Sequence, residues 1–370
     1  MMSYRLVVQG PGAGSEILRA IRHTSMANEF DRLTGFYAYA TIGGTRLVLE
    51  TLRENLPRWK QAQKRWLVSM DFGRTDPDAL ELLASIPRSD VRIPNAQEVL
   101  NQRLRPTVCF HAKTLIFDTR ANPYRAPSGL VVGSANLSVS GLTLGQEHAI
   151  AASISRRPTR MESVKWRSIF HSPALLEDLF RSGTRLTNAL LRRYTALRPE
   201  RDRFQDDRQP IIRNVIQAQN LDSSFSEAVT LATAGNLWVD VDYVVQNRGR
   251  DLPGNQVDLA RGTRTFFGLR SERVERNTFL GNVGVRFAGL YSDCHMRFGN
   301  NMMDKLNLPI PGDGGPPRYE NTTLLFKRGA DGTFILEVRN REDADEWRVL
   351  SESNGSLFRM RSGREYGVFS

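Results

Sequence analysis

The sequence predicts an α/β layered domain followed by a mainly β domain. Three observations carry this. Strands and helices alternate through the first half, a charged segment bounded by prolines interrupts the chain near residue 200, and beyond it short β-rich runs recur between Gly, Pro, Asn and Asp turns. At roughly 100–200 residues per domain, 370 residues fit two domains, each able to bury a core. The boundaries read as 1–195, a linker over 196–210, and 211–370.

In chain order, Tyr4–Val8 reads as a strand and Ser15–Ile21 as a helix with Ser15 at its N-cap. Strand Thr34–Tyr39, helix Arg46–Leu56 and strand Trp66–Met70 follow, then a short helix Pro77–Ala84 opened by Asp76. Further strands are expected at Val91–Ile93, Phe110–Asp118, Leu130–Val132 and His148–Ser153. Leu175, Leu176, Leu179 and Phe180 have the spacing of one buried helical face, so Pro173–Leu197 reads as a long closing helix. Residues 198–210 are almost all charged or polar and cannot bury themselves. Strands are then expected at Leu237–Val245, Thr265–Leu269, Val283–Leu290, Thr322–Lys327, Thr333–Val338 and Phe358–Met360, with one or two helices in an antiparallel barrel or sandwich.

The chain carries 51 Lys+Arg against 40 Asp+Glu, a formal +11. Residues 1–200 hold 28 basic and 17 acidic side chains and residues 201–370 hold 23 of each, so the whole surplus lies in the first half. That footprint favours an anionic partner, nucleic acid ahead of a membrane surface. Two cysteines, Cys109 and Cys294, are too few for a disulfide framework and show no paired metal-ligand spacing; no cofactor is expected. The opening residues lack the layout of a secretion signal and no apolar run approaches a membrane span, which makes a cytoplasmic setting the expectation. Gly10–Gly14 imitates a dinucleotide loop, but Pro11 fits that turn poorly and no acidic ribose ligand follows.

Chemistry concentrates between His111 and Glu147. If Phe110–Asp118 is one strand, alternation places His111 and Lys113 on one face, about 6.5–7 Å apart, where an imidazole and an ammonium reach one phosphate. The next strand ends in Gly133-Ser134-Ala135-Asn136, glycine permitting close backbone approach and Ser134 and Asn136 offering neutral hydrogen bonds. Glu147 opens the strand after that, where a carboxylate can accept the other imidazole proton.

The pattern His-x-Lys-x4-Asp, then Gly-Ser-x-Asn and a downstream Glu, resembles the signature of the phospholipase D superfamily of phosphodiesterases and nucleases. The resemblance implies metal-independent chemistry in which His111 takes up the phosphoryl group covalently. It further implies that Lys113 and Asn136 hold the non-bridging oxygens and that Glu147 orients His111. The family's Asp maps to Asp118, read as structural more often than catalytic. Members with a complete site in one chain carry the motif twice; here His23, His148, His171 and His295 are not followed by x-Lys, so the resemblance implies a homodimer sharing one site through its nuclease domains.

The layout also resembles metal-independent restriction endonucleases that join such a nuclease to a C-terminal B3-like DNA-recognition pseudobarrel. Double-stranded DNA is then the implied substrate, with no membrane partner. Candidate DNA contacts in the second half are Arg248, Arg250, Arg261, Arg264, Arg270, Arg273 and Arg276, arginines on barrel loops being suited to guanine edges and phosphates. The blander alternative for each is a solvated basic face. The alternative activity on the same catalytic set is a lipid or non-specific nucleic-acid phosphodiesterase.

Overall fold

The computed structural model describes residues 2–10, 15–119, 128–154, 158–169, 173–198, 210–218, 220–245, 247–248, 252–329 and 331–369. The chain divides into two compact units, Met1–Asp206 and Asp207–Ser370. Most of the charged linker, with Asp206 and Asp207, lies outside the described residues, as does the 11–14 turn.

The first unit runs β1 (Met2–Gln9), α1 (Glu16–Met26), β2 (Arg32–Tyr37), α2 (Ile42–Asn55), β3 (Gln63–Val68), α3 (Pro77–Ser85), β4 (Ser89–Ile93), α4 (Ala96–Asn101), β5 (Lys113–Asp118), β6 (Gly129–Gly133), β7 (Glu147–Ile154), α5 (Arg160–Ile169), α6 (Pro173–Ser182), β8 (Thr184–Arg185) and α7 (Asn188–Leu197). Its eight strands form one mixed sheet in the order β1-β7-β6-β5-β2-β3-β4-β8. The β2, β3 and β4 strands are parallel because helical crossovers join them; the other pairings are antiparallel. The central strands β2 and β3 are buried along almost their whole length, Lys64 and Arg65 included, and Leu33, Phe36, Trp66, Leu67, Leu115 and Phe117 are buried between layers. Thr41 caps α2 by accepting from Gly44 N at 3.2 Å.

The expected closing helix is broken. A side chain at Gly183 would stand 2.4 Å from Leu67 Cδ1, so the chain passes tightly over the sheet there. It pairs as β8 with β4 and restarts as α7, capped by Thr187, whose hydroxyl accepts from Leu190 N at 3.2 Å. Ser15 and Asp76 stand at helix N-caps without a side-chain capping bond. Asp76 is used elsewhere, accepting from Ile42 N at 3.0 Å and pairing with Arg198 at 2.6 Å.

The second unit contains α8 (Pro210–Gln217), α9 (Phe225–Thr233), β9 (Asn236–Val241), β10 (Gln256–Leu259), β11 (Phe279–Phe287), β12 (Leu290–Phe298), β13 (Asp304–Asn307), β14 (Ile310–Pro311), β15 (Gly314–Gly315), β16 (Thr322–Arg328), β17 (Phe334–Asn340), α10 (Asp345–Ser353), β18 (Leu357–Arg359) and β19 (Glu365–Phe369). Nine strands form a second sheet, β10-β13-β12-β11-β17-β16-β9-β19-β18, antiparallel except where β11 meets β17. Alternation governs β12, where Cys294, Met296 and Phe298 are buried and His295 and Arg297 exposed. The core gathers Leu237, Val239, Val283, Met296, Phe326 and Phe334 among others.

Thr265–Leu269 is not a strand. Gly262 (φ 90°) and Gly268 (φ 79°) bracket a tight 3-10 turn that sends Phe266 and Phe267 into the core, where their rings meet edge to face at 5.2 Å. Among its described residues the unit has three α-helices where one or two were expected.

Candidate active site

The ends of β5, β6 and β7 gather the predicted polar residues. His111 is not inside the strand as expected: β5 begins at Lys113, and His111 stands exposed two residues before it. The reason lies in Asp71, buried in a turn after β3, whose Oδ2 accepts from Phe110 N at 2.8 Å and takes that backbone out of the ladder. Freed from strand geometry, the two side chains touch directly. Lys113 Nζ lies 2.7 Å from His111 Nδ1 and donates to the His111 carbonyl at 2.8 Å.

Gly133 ends β6 against β7 so closely that a Cβ there would lie 2.2 Å from the His148 carbonyl oxygen. This approach lets Ser134 N donate to that carbonyl at 2.9 Å and Ser134 Oγ accept from His148 N at 3.1 Å. The same hydroxyl hydrogen-bonds to Glu147. Among the described residues the Glu147 carboxylate takes Ser134 and has no hydrogen bond to the His111 imidazole, so its expected role as the direct orienting group is not met in this arrangement. Glu147 does act on Lys113: burial pulls the Lys113 ammonium below its usual value, and the nearby Glu147 carboxylate opposes that fall.

Asn136 is buried, and its Oδ1 accepts from Tyr39 N at 3.2 Å, leaving its amide hydrogens as donors. The next residue is fixed as firmly: Leu137 O accepts from Thr41 N at 2.8 Å, and a Cβ on Gly44 of α2 would lie 2.3 Å from Leu137 C. Sequence reasoning missed Asp71 and Gln9. Buried Gln9 donates to the carbonyls of Gly141 and Gly145, both at 3.1 Å, and accepts from Ile17 N, tying the turn before Glu147 to α1. The only sequence signal was a glutamine on an inward position of β1.

Asp118 is not brought to this site. It closes β5, about 17 Å along the strand from Lys113, and pairs with Arg32 at 3.1 Å across the ladder. Burial pushes its carboxyl up while Arg32 pulls it back. In the second unit the arginines separate. Arg264 is fully buried, held by Asp304 at 2.7 Å, by Asp222, and by the carbonyls of Arg270 (2.9 Å) and Glu272 (2.7 Å). A guanidinium so enclosed cannot meet DNA, which corrects that assignment. Arg261 is tied to Asp222 by its Nε at 2.7 Å. Arg270, Arg273 and Arg276 are exposed, Arg248 is half-buried, and Arg250 lies outside the described residues.

No family model matches this chain, and no curated protein does. Solved structures similar to it include NucT from Helicobacter pylori, at 12% identity and TM-score 0.36 over 50% of this chain and 100% of that one. Nuc from Salmonella typhimurium, a phospholipase D family member, gives 11% and 0.34 over 51% and 100%. Phosphatidylserine synthase from Haemophilus influenzae Rd KW20 gives 11% and 0.31 over 54% and 42%.

On the sheet face opposite Glu147, by strand alternation, β1, β7 and β6 show an apolar row. Leu6 pairs with Ile150, and Ile150 with Val132. Leu6 is 70% exposed and Ile150 51%, with Tyr4 and Val8 exposed beside them. No helix among the described residues is long and apolar enough to cross a membrane.

Proposed function

We propose that this chain is a metal-independent, sequence-specific endonuclease that hydrolyses DNA phosphodiester bonds through a phosphohistidine at a site shared by two copies. The observation that carries the reading is the Lys113 ammonium held 2.7 Å from an exposed imidazole of His111, with the Glu147 carboxylate acting on that ammonium. A nucleophile and a fixed cation side by side suit a phosphorus centre that gathers negative charge in its transition state.

In this mechanism an imidazole nitrogen of His111 attacks phosphorus, and the bond to the departing DNA oxygen breaks as the N–P bond forms. Lys113 and the Asn136 amide stabilise the non-bridging oxygens. The departing oxygen takes a proton from the His111 of a second copy. That imidazole then takes a proton from water, whose oxygen displaces the first His111 from phosphorus. Glu147, through Ser134 and its field on Lys113, keeps the cation in place. The exposed row at Tyr4, Leu6, Val8 and Ile150 supports a second copy docking on that sheet face, since an apolar strand face of this kind is otherwise a liability. The first unit, with the whole surplus of positive charge, engages DNA generally. The second supplies sequence choice through exposed side chains such as Arg270, Arg273 and Arg276.

Digestion of a DNA of known sequence in excess EDTA, with the ends sequenced, tests this. Cleavage at fixed positions is expected, and activity abolished by chelation refutes the metal-free mechanism. For the shared site, Leu6→Glu with Ile150→Glu is expected to give a monomer by light scattering with no cleavage. A monomeric variant cutting at the wild-type rate overturns that part.

A further inference from the structure

Between β3 and α3 the chain makes a tight turn, Asp71-Phe72-Gly73, in which Phe72 adopts φ 58° and ψ 13°. Left-handed backbone is costly for a bulky aromatic residue, and such strain persists only where surrounding bonds enforce it. Here they do: Phe72 N donates to Leu104 O at 2.6 Å, and Asp71 N donates to Ser69 Oγ at 2.8 Å. Leu104, on the other side of that bond, is itself left-handed (φ 68°), as is Arg103 (φ 49°). Core packing does not compensate for the strain, because Phe72 is 49% exposed.

The turn is also coupled to the candidate nucleophile. Asp71 accepts from the backbone of Phe110, the residue before His111, so the segment that strains Phe72 also sets the approach to His111. The Arg74 guanidinium lies 5.7 Å from the Phe72 ring centroid. A strained, exposed ring with a cation beside it, one hydrogen bond from the segment that delivers the nucleophile, is placed for a ligand carrying both a flat ring and an anion.

We propose that Phe72 and Arg74 form a nucleotide subsite next to the reacting phosphate, the ring stacking one nucleobase and the guanidinium holding a neighbouring phosphate oxygen. This rests on the phosphodiesterase reading of the His111 cluster and adds what flanks the scissile bond. Ring-on-base stacking tolerates any base, so the subsite grips a locally unstacked nucleotide without choosing sequence.

The test uses the full chain and a short cleavable duplex with 2-aminopurine at the nucleotide flanking the scissile bond, beside the same duplex made abasic at that position. Phe72→Ala is expected to raise KM on the intact duplex about tenfold with kcat little changed, and Phe72→Trp to restore it. On abasic DNA the wild-type protein is expected to lose the same factor, and Phe72→Ala to lose nothing further. Quenching of 2-aminopurine by His111→Ala protein should vanish when Phe72→Ala is added. Phe72→Gly, which relieves the strained backbone, is expected to melt at a higher temperature than wild type while losing the same quenching, which separates the subsite from a folding role. Equal loss on intact and abasic duplexes overturns the proposal, as does a Phe72→Ala defect on phosphatidylcholine vesicles with none on DNA. If the wild-type protein cuts no DNA yet Phe72-dependent quenching persists, the subsite stands and the nuclease reading falls.

Discussion

Gly133→Ala is the sharpest perturbation of the proposed machinery, because it adds one methyl group and alters no charge. The new carbon would fall 2.2 Å from the His148 carbonyl oxygen and 2.7 Å from Ala149 Cα. An ordinary carbon–oxygen contact is about 3.3 Å, so β6 and β7 must separate by about 1 Å. The obstacle is β7 itself, the His148 carbonyl and Ala149, with no flexible side chain to swing away. Overpacking of this kind costs about 1–3 kcal/mol. The same displacement pulls Ser134 off His148 and Glu147, and misplacements of about 1 Å commonly cost on the order of a hundredfold in rate. Plasmid cleavage under single-turnover conditions, with a thermal melt of the same preparation, measures both. A Gly133→Ala protein that is folded and cuts at the wild-type rate would refute the view that this glycine sets the site.

Lys113→Met should lower kcat by about 10²–10³, as when one donor to a developing anion is lost, and Lys113→Arg should recover little because the fork cannot reproduce the single contact on Nδ1. Those rates are checked on a short duplex at saturating concentration. His111→Ala should abolish cleavage while leaving binding to the cognate duplex by gel shift; loss of both would break the division of labour between the units. Arg264→Met should destabilise the second unit by about 3–5 kcal/mol, roughly 10 °C in calorimetry for a unit of this size, with Asp304→Asn added to Arg264→Met recovering part. An unchanged melt would contradict its structural role. His23 gives a pH signature: burial, then the neighbouring Arg5, Arg22 and Arg19, hold its imidazole below the usual value, with Glu16 opposing. The unfolded chain therefore takes up the proton first, and stability falls as pH drops below about 6.5 towards the lower folded value. His23→Gln should flatten the melting temperature across that window, and an unaltered slope would rule the effect out.

Local patterns carried most of the first unit. Short β-branched and aromatic runs such as Trp66–Val68, set between helical patterns, read as buried strands, and the polar set from His111 to Glu147 declares itself by residue type and spacing. What stayed hidden was imposed from far along the chain. The ladder ends before His111 because Asp71, 39 residues earlier, captures the Phe110 amide. Gly183 breaks a good helical pattern because Leu67 occupies the space a side chain would need. Arg264 reads like its neighbours in sequence, yet its partners Asp222 and Asp304 lie 42 and 40 residues away. Phe266 and Phe267 have strand propensity, but flanking glycines at positive φ turn them into the core.

The pairing of β1 with β7 has a kinetic consequence. Its register joins Met2 to Ile154 and Gln9 to Glu147, so the ladder that ends at the Glu147 carboxylate closes a loop of well over a hundred residues. Contacts of such sequence separation form late, after the local β2–α2–β3–α3–β4 crossovers have condensed. Recovery of activity after denaturation should therefore lag behind recovery of helical signal, and on the ribosome the first strand must wait, unpaired and apolar, until residue 154 has been made.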